Sequence, residues 1–202
     1  YNGVEIIDEW AFASTSIADI RLPDSIKEIR TGAFLIAGLK EVYLPNPTVK
    51  LNNDSLSALA IYVENGKYLP SNFINAIANL QILTVMLGSD VVKIMQNDKI
   101  VYIQKSIIWE KDFDALKKEY LTIDDLIDFY NRHQVEILKS LLQDKREKDF
   151  AEAFMLSKSL LDSKTLRKVA IELLEFANNR KLSIAQAYIL NTLKSDKLDF
   201  SI

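Results

Sequence analysis

The stretch IKEIRTGAFLIAGLKEVYLP, residues 26–45, decides the fold, because it has a close echo just upstream. Slid back by 22 positions it lies on VEIIDEWAFASTSIADIRLP, residues 4–23. Val4, Ile7, Ala11, Phe12, Ile17, Ile20, Leu22 and Pro23 then fall on Ile26, Ile29, Ala33, Phe34, Leu39, Val42, Leu44 and Pro45. The triplets Ile20-Arg21-Leu22 and Val42-Tyr43-Leu44 alternate in, out, in, as strands with one buried face do. Pro23 and Pro45 end them, since proline has no N–H to donate to a further rung. The pairs Ala11-Phe12 and Ala33-Phe34 take the return side of each turn, where the rings stack and the small alanine permits close approach. One such turn cannot bury its own apolar face. Stacking of turns supplies the core, which is the logic of a solenoid.

The motifs IIDEWAFASTSIADIRLPDSI and IKEIRTGAFLIAGLKEVYLP resemble the BspA-type leucine-rich repeats. The resemblance is specific over about residues 1–50 and persists in degenerate form to about 105. It implies a solenoid used for protein–protein contact, including bacterial surface adhesion, and it carries over no catalytic residue. Tyr1 is not an initiator methionine and falls inside a repeat, so the chain is expected to be a piece of a longer protein. A cell-surface or secreted location follows if the resemblance holds, and a cytoplasmic one if the full-length chain lacks a signal peptide.

Beyond Pro45 the period weakens. Ile61-Tyr62-Val63 and Leu83-Thr84-Val85 are again 22 apart, and Val101-Tyr102-Ile103 repeats the in-out-in pattern. A helical return segment is expected near Ser71–Asn79. The stretch VVKIMQNDKIVYI reads either as a degenerate turn of the solenoid or as a hairpin bent at Asn97-Asp98. From Asp112 onward apolar residues recur at helical spacing. Thr122-Ile-Asp-Asp125 has capping-box spacing before Leu126, Ile127 and Phe129. Further helices are expected at about Gln134–Leu142, Lys148–Leu161, Ser163–Asn179 and Ser183–Lys194, with Ser163 and Ser183 as N-caps and Asn178-Asn179 as a stop. The segments 126–137 and 173–184 can be laid on each other as helix, polar turn, helix. The expected class is therefore α+β: a β-rich leucine-rich-repeat solenoid over 1–110, then an all-helical domain of helical hairpins over 111–202.

Composition narrows the function. A net charge of −3 argues against a nucleic-acid binder, which needs a basic stripe to displace counterions. The absence of cysteine removes disulfides, thiol catalysis and zinc-thiolate sites. No apolar run approaches the ~18 residues of a membrane span, so no membrane insertion is expected. No P-loop, G-x-G-x-x-G, G-x-S-x-G or H-E-x-x-H spelling occurs, so no catalytic residue, cofactor or metal site is assigned. The single histidine, His133, is expected in a solvated turn between two helices. Asp124, Asp125 and Asp128 sit where a helix N-terminus favours negative charge anyway, and the mixed-sign run Lys145–Asp149 reads as a solvated helix start.

The remaining constellation is the outward strand face. Arg21, Tyr43, Tyr62, Thr84 and Tyr102 occupy outward strand centres, with Asp19 and Glu41 beside the first two. Tyrosine and arginine dominate binding hot spots, because they combine contact area with a polar tip. Tyrosine also simply suits half-exposed strands. On the first reading Arg21, Glu41, Tyr43, Tyr62 and Tyr102 form a surface for a protein partner, and the chain is a non-enzymatic binding module. On a rival reading it is the structural cap of a longer repeat array whose binding turns lie upstream. The uncapped apolar end around Val4 and Ile7 is a further expected route to self-association.

Overall fold

The computed structural model describes residues 3–35, 37–77, 84 and 87–195. The chain has strands in its N-terminal part and helices in its C-terminal part, an α+β arrangement, and forms two compact units, Tyr1–Tyr130 and Asn131–Ile202.

The first unit is built on two ladders. β1 (Ile6–Ile7), β3 (Glu28–Ile29) and β5 (Lys50–Leu51) form one parallel sheet. β2 (Asp19–Arg21), β4 (Leu39–Leu44), β6 (Ala58–Val63), β7 (Val91–Gln96) and β8 (Lys99–Gln104) form the other, in that order. In the first ladder Ile7 faces Ile29 and Ile29 faces Leu51, three buried residues in one row. In the second, Val42 and Leu44 face Ile61 and Val63, and all four are buried. Peptide groups outside the strands keep the same step. The Trp10, Phe12 and Ser14 amides donate to the Thr31, Ala33 and Leu35 carbonyls. Phe12 and Phe34 stack with centroids 5.1 Å apart and planes 3° from parallel, so the Ala-Phe pairs do what the repeat requires. Charged pairs repeat in step too: Lys27 on Glu5, Arg30 on Asp8 and Lys50 on Glu28. They are exposed and contribute little to stability.

The period then breaks in a way the sequence reading missed. Leu39 faces Ala58, a step of 19 against the 22 of Asp19 facing Glu41. The shortening falls between Leu56, which takes the place of Phe34, and the next strand. After β6 the step lengthens. Tyr62 faces Met95, not Thr84, so the expected strand Leu83-Thr84-Val85 is not the next rung. Leu83 and Val85 lie outside the described residues, and Thr84 is helical. The return segment expected at Ser71–Asn79 contains α1 (Phe73–Ala76), whose last positions stack on Leu56 through its amide to the Ala76 carbonyl; Ala78 and Asn79 are not described. Between the two readings of VVKIMQNDKIVYI, the hairpin holds. β7 and β8 are antiparallel, and Asn97 and Asp98 both have positive φ (49° and 63°), as a two-residue hairpin turn demands.

The closing strands carry buried polar groups. Gln96 sits in the inward row behind Leu44 and Val63, and its amide donates to the Tyr68 carbonyl at 2.7 Å. Lys105 opens the short helix α2 (Lys105–Ile107), is 2% exposed, and donates to the Ile77 carbonyl. Irregular helical turns follow to Leu116. At Thr122 the capping box forms as read. The Thr122 amide donates to Asp125 Oδ2 at 2.9 Å, and the Asp125 amide donates back to Thr122 Oγ1 at 3.3 Å. Burial alone would raise the Asp125 carboxyl; Lys118 and Thr122 outweigh it and hold its pKa below the usual value.

Among the helices, the break expected at His133 is absent. α3 (Ile123–Gln143) is a single helix, so there is no polar turn at His133 and no separate helix at Gln134–Leu142. His133 lies half-buried within the helix, and Asn131 and Arg132 are ordinary exposed helix positions whose polarity mimics a loop. α4 (Glu147–Leu160), α5 (Ser163–Asn179) and α6 (Ser183–Ser195) follow close to the expected bounds. The cap of α5 is Asp162, whose carboxylate accepts from the Lys164 and Thr165 amides, one residue before the expected Ser163. Ser183 is likewise the first helical residue of α6 and not a cap before it. The true internal likeness joins the two links. Lys145 and Lys181 are both left-handed (φ 57° and 58°), and Arg146 and Leu182 donate back to Leu141 and Ala177, two Schellman closures. In the second unit Phe150 and Phe154 meet Tyr188 edge-on, among buried Ile137, Leu141, Leu173 and Ile189.

Two measurements check this account. Phe34 is fully buried and Phe12 only half-buried, so Phe34→Ala should cost about 3–5 kcal/mol in urea unfolding and Phe12→Ala clearly less. Burial lowers the Lys105 pKa from the ordinary 10.5 to about 8, against an opposing pull from Asp54. Below pH 8 both the folded and unfolded chains hold that proton, and the desolvation cost of about 3 kcal/mol is fully present. Between about 8 and 10.5 the unfolded chain binds more protons, so stability rises with pH there. Urea midpoints taken from pH 7 to 9.5 should show a gain of about 2 kcal/mol that Lys105→Met abolishes.

Candidate binding surface

Alternation along β2, β4 and β6 turns Arg21, Tyr43 and Tyr62 to one side, and parallel pairing sets them directly opposite one another. The result is a column. The Arg21 guanidinium carbon lies 4.3 Å from the Tyr43 ring centroid, and the Tyr43 and Tyr62 rings stack at 4.3 Å with planes 7° apart. Arg21 is exposed; the two tyrosines are half-buried. Glu41, two residues before Tyr43 on the same face, accepts from Tyr43 Oη at 2.8 Å and from Tyr62 Oη at 3.4 Å. Glu64, which the sequence reading did not single out, pairs with Arg21. Its signal was available: it stands where Pro23 and Pro45 stand in the earlier turns, as the first polar residue to do so.

Charge and burial keep both phenols protonated. The hydrogen bond to Glu41, then burial, raises the Tyr43 pKa above its ordinary 10. For Tyr62 burial leads and the Glu41 charge adds to it, in the same upward direction. The column therefore presents neutral ring edges flanked by an arginine and two carboxylates. Nothing in it is arranged as a nucleophile with a base.

Tyr102 departs from the expected surface. It lies opposite Lys93, in the row of Ala60 and Glu41 and not that of Tyr62, and it is fully buried. Strand direction sets the row, while the face is the one expected, since Lys93 and Met95 are two apart on β7. The column continues from Tyr62 to Met95, and the antiparallel hairpin then sets Ile100, not Tyr102, beside Met95. Thr84 is exposed but is on no strand. Elsewhere Tyr68 and Tyr120 form an exposed pair with centroids 5.4 Å apart, and Lys67 stands 5.3 Å from the Tyr68 ring. Of Asp124, Asp125 and Asp128, only the first two lie in the first turn of α3; Asp124 pairs with Lys99 and Asp125 with Lys118. Among the described residues no group of three His, Asp or Glu side chains could hold a metal ion, and no helix is long and apolar enough to cross a membrane.

With Arg21, Glu41, Tyr43, Tyr62 and Glu64 placed, the comparison with known families bears on all of them. The segment matches the model described as "BspA type Leucine rich repeat region (6 copies)" over residues 1–68. Residues 1–68 are a BspA-type leucine-rich-repeat region. The whole column lies inside it, and Tyr102 lies outside. No family is assigned to the C-terminal part, and no curated protein and no solved structure matches the chain. BspA-type repeats are generally non-enzymatic modules with an interaction or surface role.

The shared carboxylate gives a direct check on the geometry. Glu41→Gln removes the charge that both phenols face, so both tyrosine titrations should move down toward the ordinary value. Absorbance at alkaline pH, with Tyr43→Phe and Tyr62→Phe to assign the two steps, reads the shift; unchanged titrations would mean that Glu41 does not hold the column.

Proposed function

We propose that this chain is a non-enzymatic protein-binding module. In this reading residues 1–110 form a leucine-rich-repeat solenoid, and its strand face, with Arg21, Glu41, Tyr43 and Tyr62, is the contact surface. Residues 111–202 form a helical domain that follows it. Adhesion of a bacterial surface protein to another protein is the setting that the repeat family suggests. The observation that carries the proposal is the Arg21–Tyr43–Tyr62 column. Three large side chains of hot-spot type are held in one stacked arrangement, so a partner meets them already ordered and less rotamer freedom is lost on contact. Tyr102 is no part of the surface, because it is buried.

A second reading has its own support. The parallel ladder ends on an antiparallel strand, as a terminal cap would, so residues 1–202 also suit the closing end of a longer array.

Affinity capture from the source organism's surroundings, followed by titration of the purified captured protein, tests the first reading. Arg21→Ala leaves the core untouched and should change stability by under about 0.5 kcal/mol. Tyr43→Ser with Tyr62→Ser loses the ring stack, worth about 0.5–1.5 kcal/mol, but should leave a folded chain by circular dichroism. Each should weaken the partner by about 2 kcal/mol or more, roughly thirty-fold. Folded variants that bind as tightly as the parent would leave the column as ordinary strand surface.

A further inference from the structure

Beside the tyrosine column a second row runs on the same strand face. Asp19 lies directly opposite Glu41, and the row continues through Ala60 and Lys93 to Tyr102. Neighbouring strands stand ~4.8 Å apart, so two carboxylates are set abreast, and like charges on facing rungs repel. The nearby cations do not relieve this. Arg21 is taken by Glu64. Lys93 is kept from Glu41 by the intervening Ala60 rung, and Lys40, exposed next to Glu41, makes no ion pair among the described residues. The Asp19 carboxylate likewise has no hydrogen bond or ion pair among the described residues, and Glu41 has the two phenols, which bring no charge. The face is covered at one end. Along the row Asp19 is exposed, Glu41 half-buried and Tyr102 fully buried, so the chain closes over this face at β8 and leaves it open at β2 and β4.

We propose that this open corner seats a basic side chain, arginine or lysine, of the protein partner, bridging Asp19 and Glu41 beside the tyrosine column. The proposal deepens the binding reading above and rests on it. Charge complementarity carries it. One cation between the two carboxylates replaces a repulsion with two attractions, and the phenols already hold Glu41 in place, so the incoming group meets an ordered acceptor. A charge at the edge of the aromatic stack selects partners and speeds encounter more than it adds affinity. A metal ion fits less well, because calcium takes about six to eight oxygen ligands and this row offers two carboxylates.

The experiment titrates the full chain with a short oligo-arginine peptide and follows the backbone amide resonances. The shifts should centre on Asp19 and Glu41 and weaken as salt is raised. Bound peptide offsets the Glu41 charge, so both tyrosine titrations should move down in its presence. Asp19→Asn with Glu41→Gln should weaken the peptide by about five-fold or more. Asp19→Asn alone leaves Glu41 and the phenols untouched, and should weaken it by about two-fold even if the double variant disturbs the column. Asp128→Asn, which removes an exposed carboxylate from α3, should change nothing. If Asp128→Asn weakens the peptide as much as Asp19→Asn does, the attraction is diffuse and the proposal falls. It falls too if calcium chloride at the same concentration shifts the same amides, or if the parent dimerises in a light-scattering series and Asp19→Lys abolishes the dimer. The two readings fail separately. A peptide indifferent to both carboxylates, with a captured protein that still needs the tyrosines, sinks this inference alone; a captured protein indifferent to the tyrosines sinks the binding reading by its own measurement.

Discussion

Everything in the first unit depends on peptide groups of successive turns staying in step. Arg30 donates to Ile7, and Asn52 donates to Ile29. Once these bonds are made, each side chain is laid on the residue at the same place in the neighbouring turn: Phe12 on Phe34, Tyr43 beside Arg21, Lys27 against Glu5. A slip of one residue would turn every strand over and expose Val42 and Leu44. The bend is in step as well. Trp10, Gly32 and Asp54 occupy the same position and are all left-handed, with φ of 60°, 65° and 52°. Gly32 matters beyond its φ, because a Cβ there would come within 2.8 Å of the Trp10 ring that packs over it.

What could be read from the residues follows from this constraint. Positions 4–45 were legible because register forces the same chemistry onto the same place twice, so two noisy copies correct each other. The third turn lost that redundancy. Its return side has Ser55-Leu56 where Ala-Phe stood, and Ser55 Oγ is buried without a hydrogen-bond partner among the described residues. The step also changes there, to 19 and then 33, and a fixed-offset comparison cannot follow a changing step. That is why Met95, and not Thr84, was the true neighbour of Tyr62. The α3 error has a different origin. A run of four polar residues, Asn131 to Gln134, reads as a loop, but a 21-residue helix can carry it on positions whose neighbours one turn away hold the helix in place.

The column on the strand face shows why site residues are harder to read than core residues. Stacking Tyr43 on Tyr62 stabilises the fold whether or not anything binds. The sequence pattern that produces it is the one that any half-exposed strand pair would use. Alternation alone put Arg21 and Glu41 on this face, but not the contacts they make: the guanidinium against the Tyr43 ring, the carboxylate shared by both phenols and the pairing of Arg21 with Glu64. They come from parallel pairing, which brings residues some twenty apart in sequence to within hydrogen-bond reach. Order of that kind costs entropy when the chain folds, and a group that contacted the column would meet it already ordered.

The two ends of the ladder are chemically opposite. At the N-terminal end Val4, Ile6 and Trp10 are exposed, and β1 pairs in parallel with β3. At the other end, β8 runs backwards, and antiparallel pairing spaces its outer amides and carbonyls differently from a parallel rung. Polar side chains enter the interior at the same place. Gln96 takes a position that Leu44 and Val63 hold in the preceding rungs, and uses it to fasten the 65–68 loop. Lys105 brings an ammonium to the Ile77 carbonyl, at the price of desolvation that lowers its pKa. Buried groups of this sort reduce stability relative to apolar ones, yet they are intolerant of shifted partners. A repeat made only of aliphatic rows can add turns indefinitely. The last rung of the described ladder instead holds polar groups that need particular carbonyls, Gln96 that of Tyr68 and Lys105 that of Ile77.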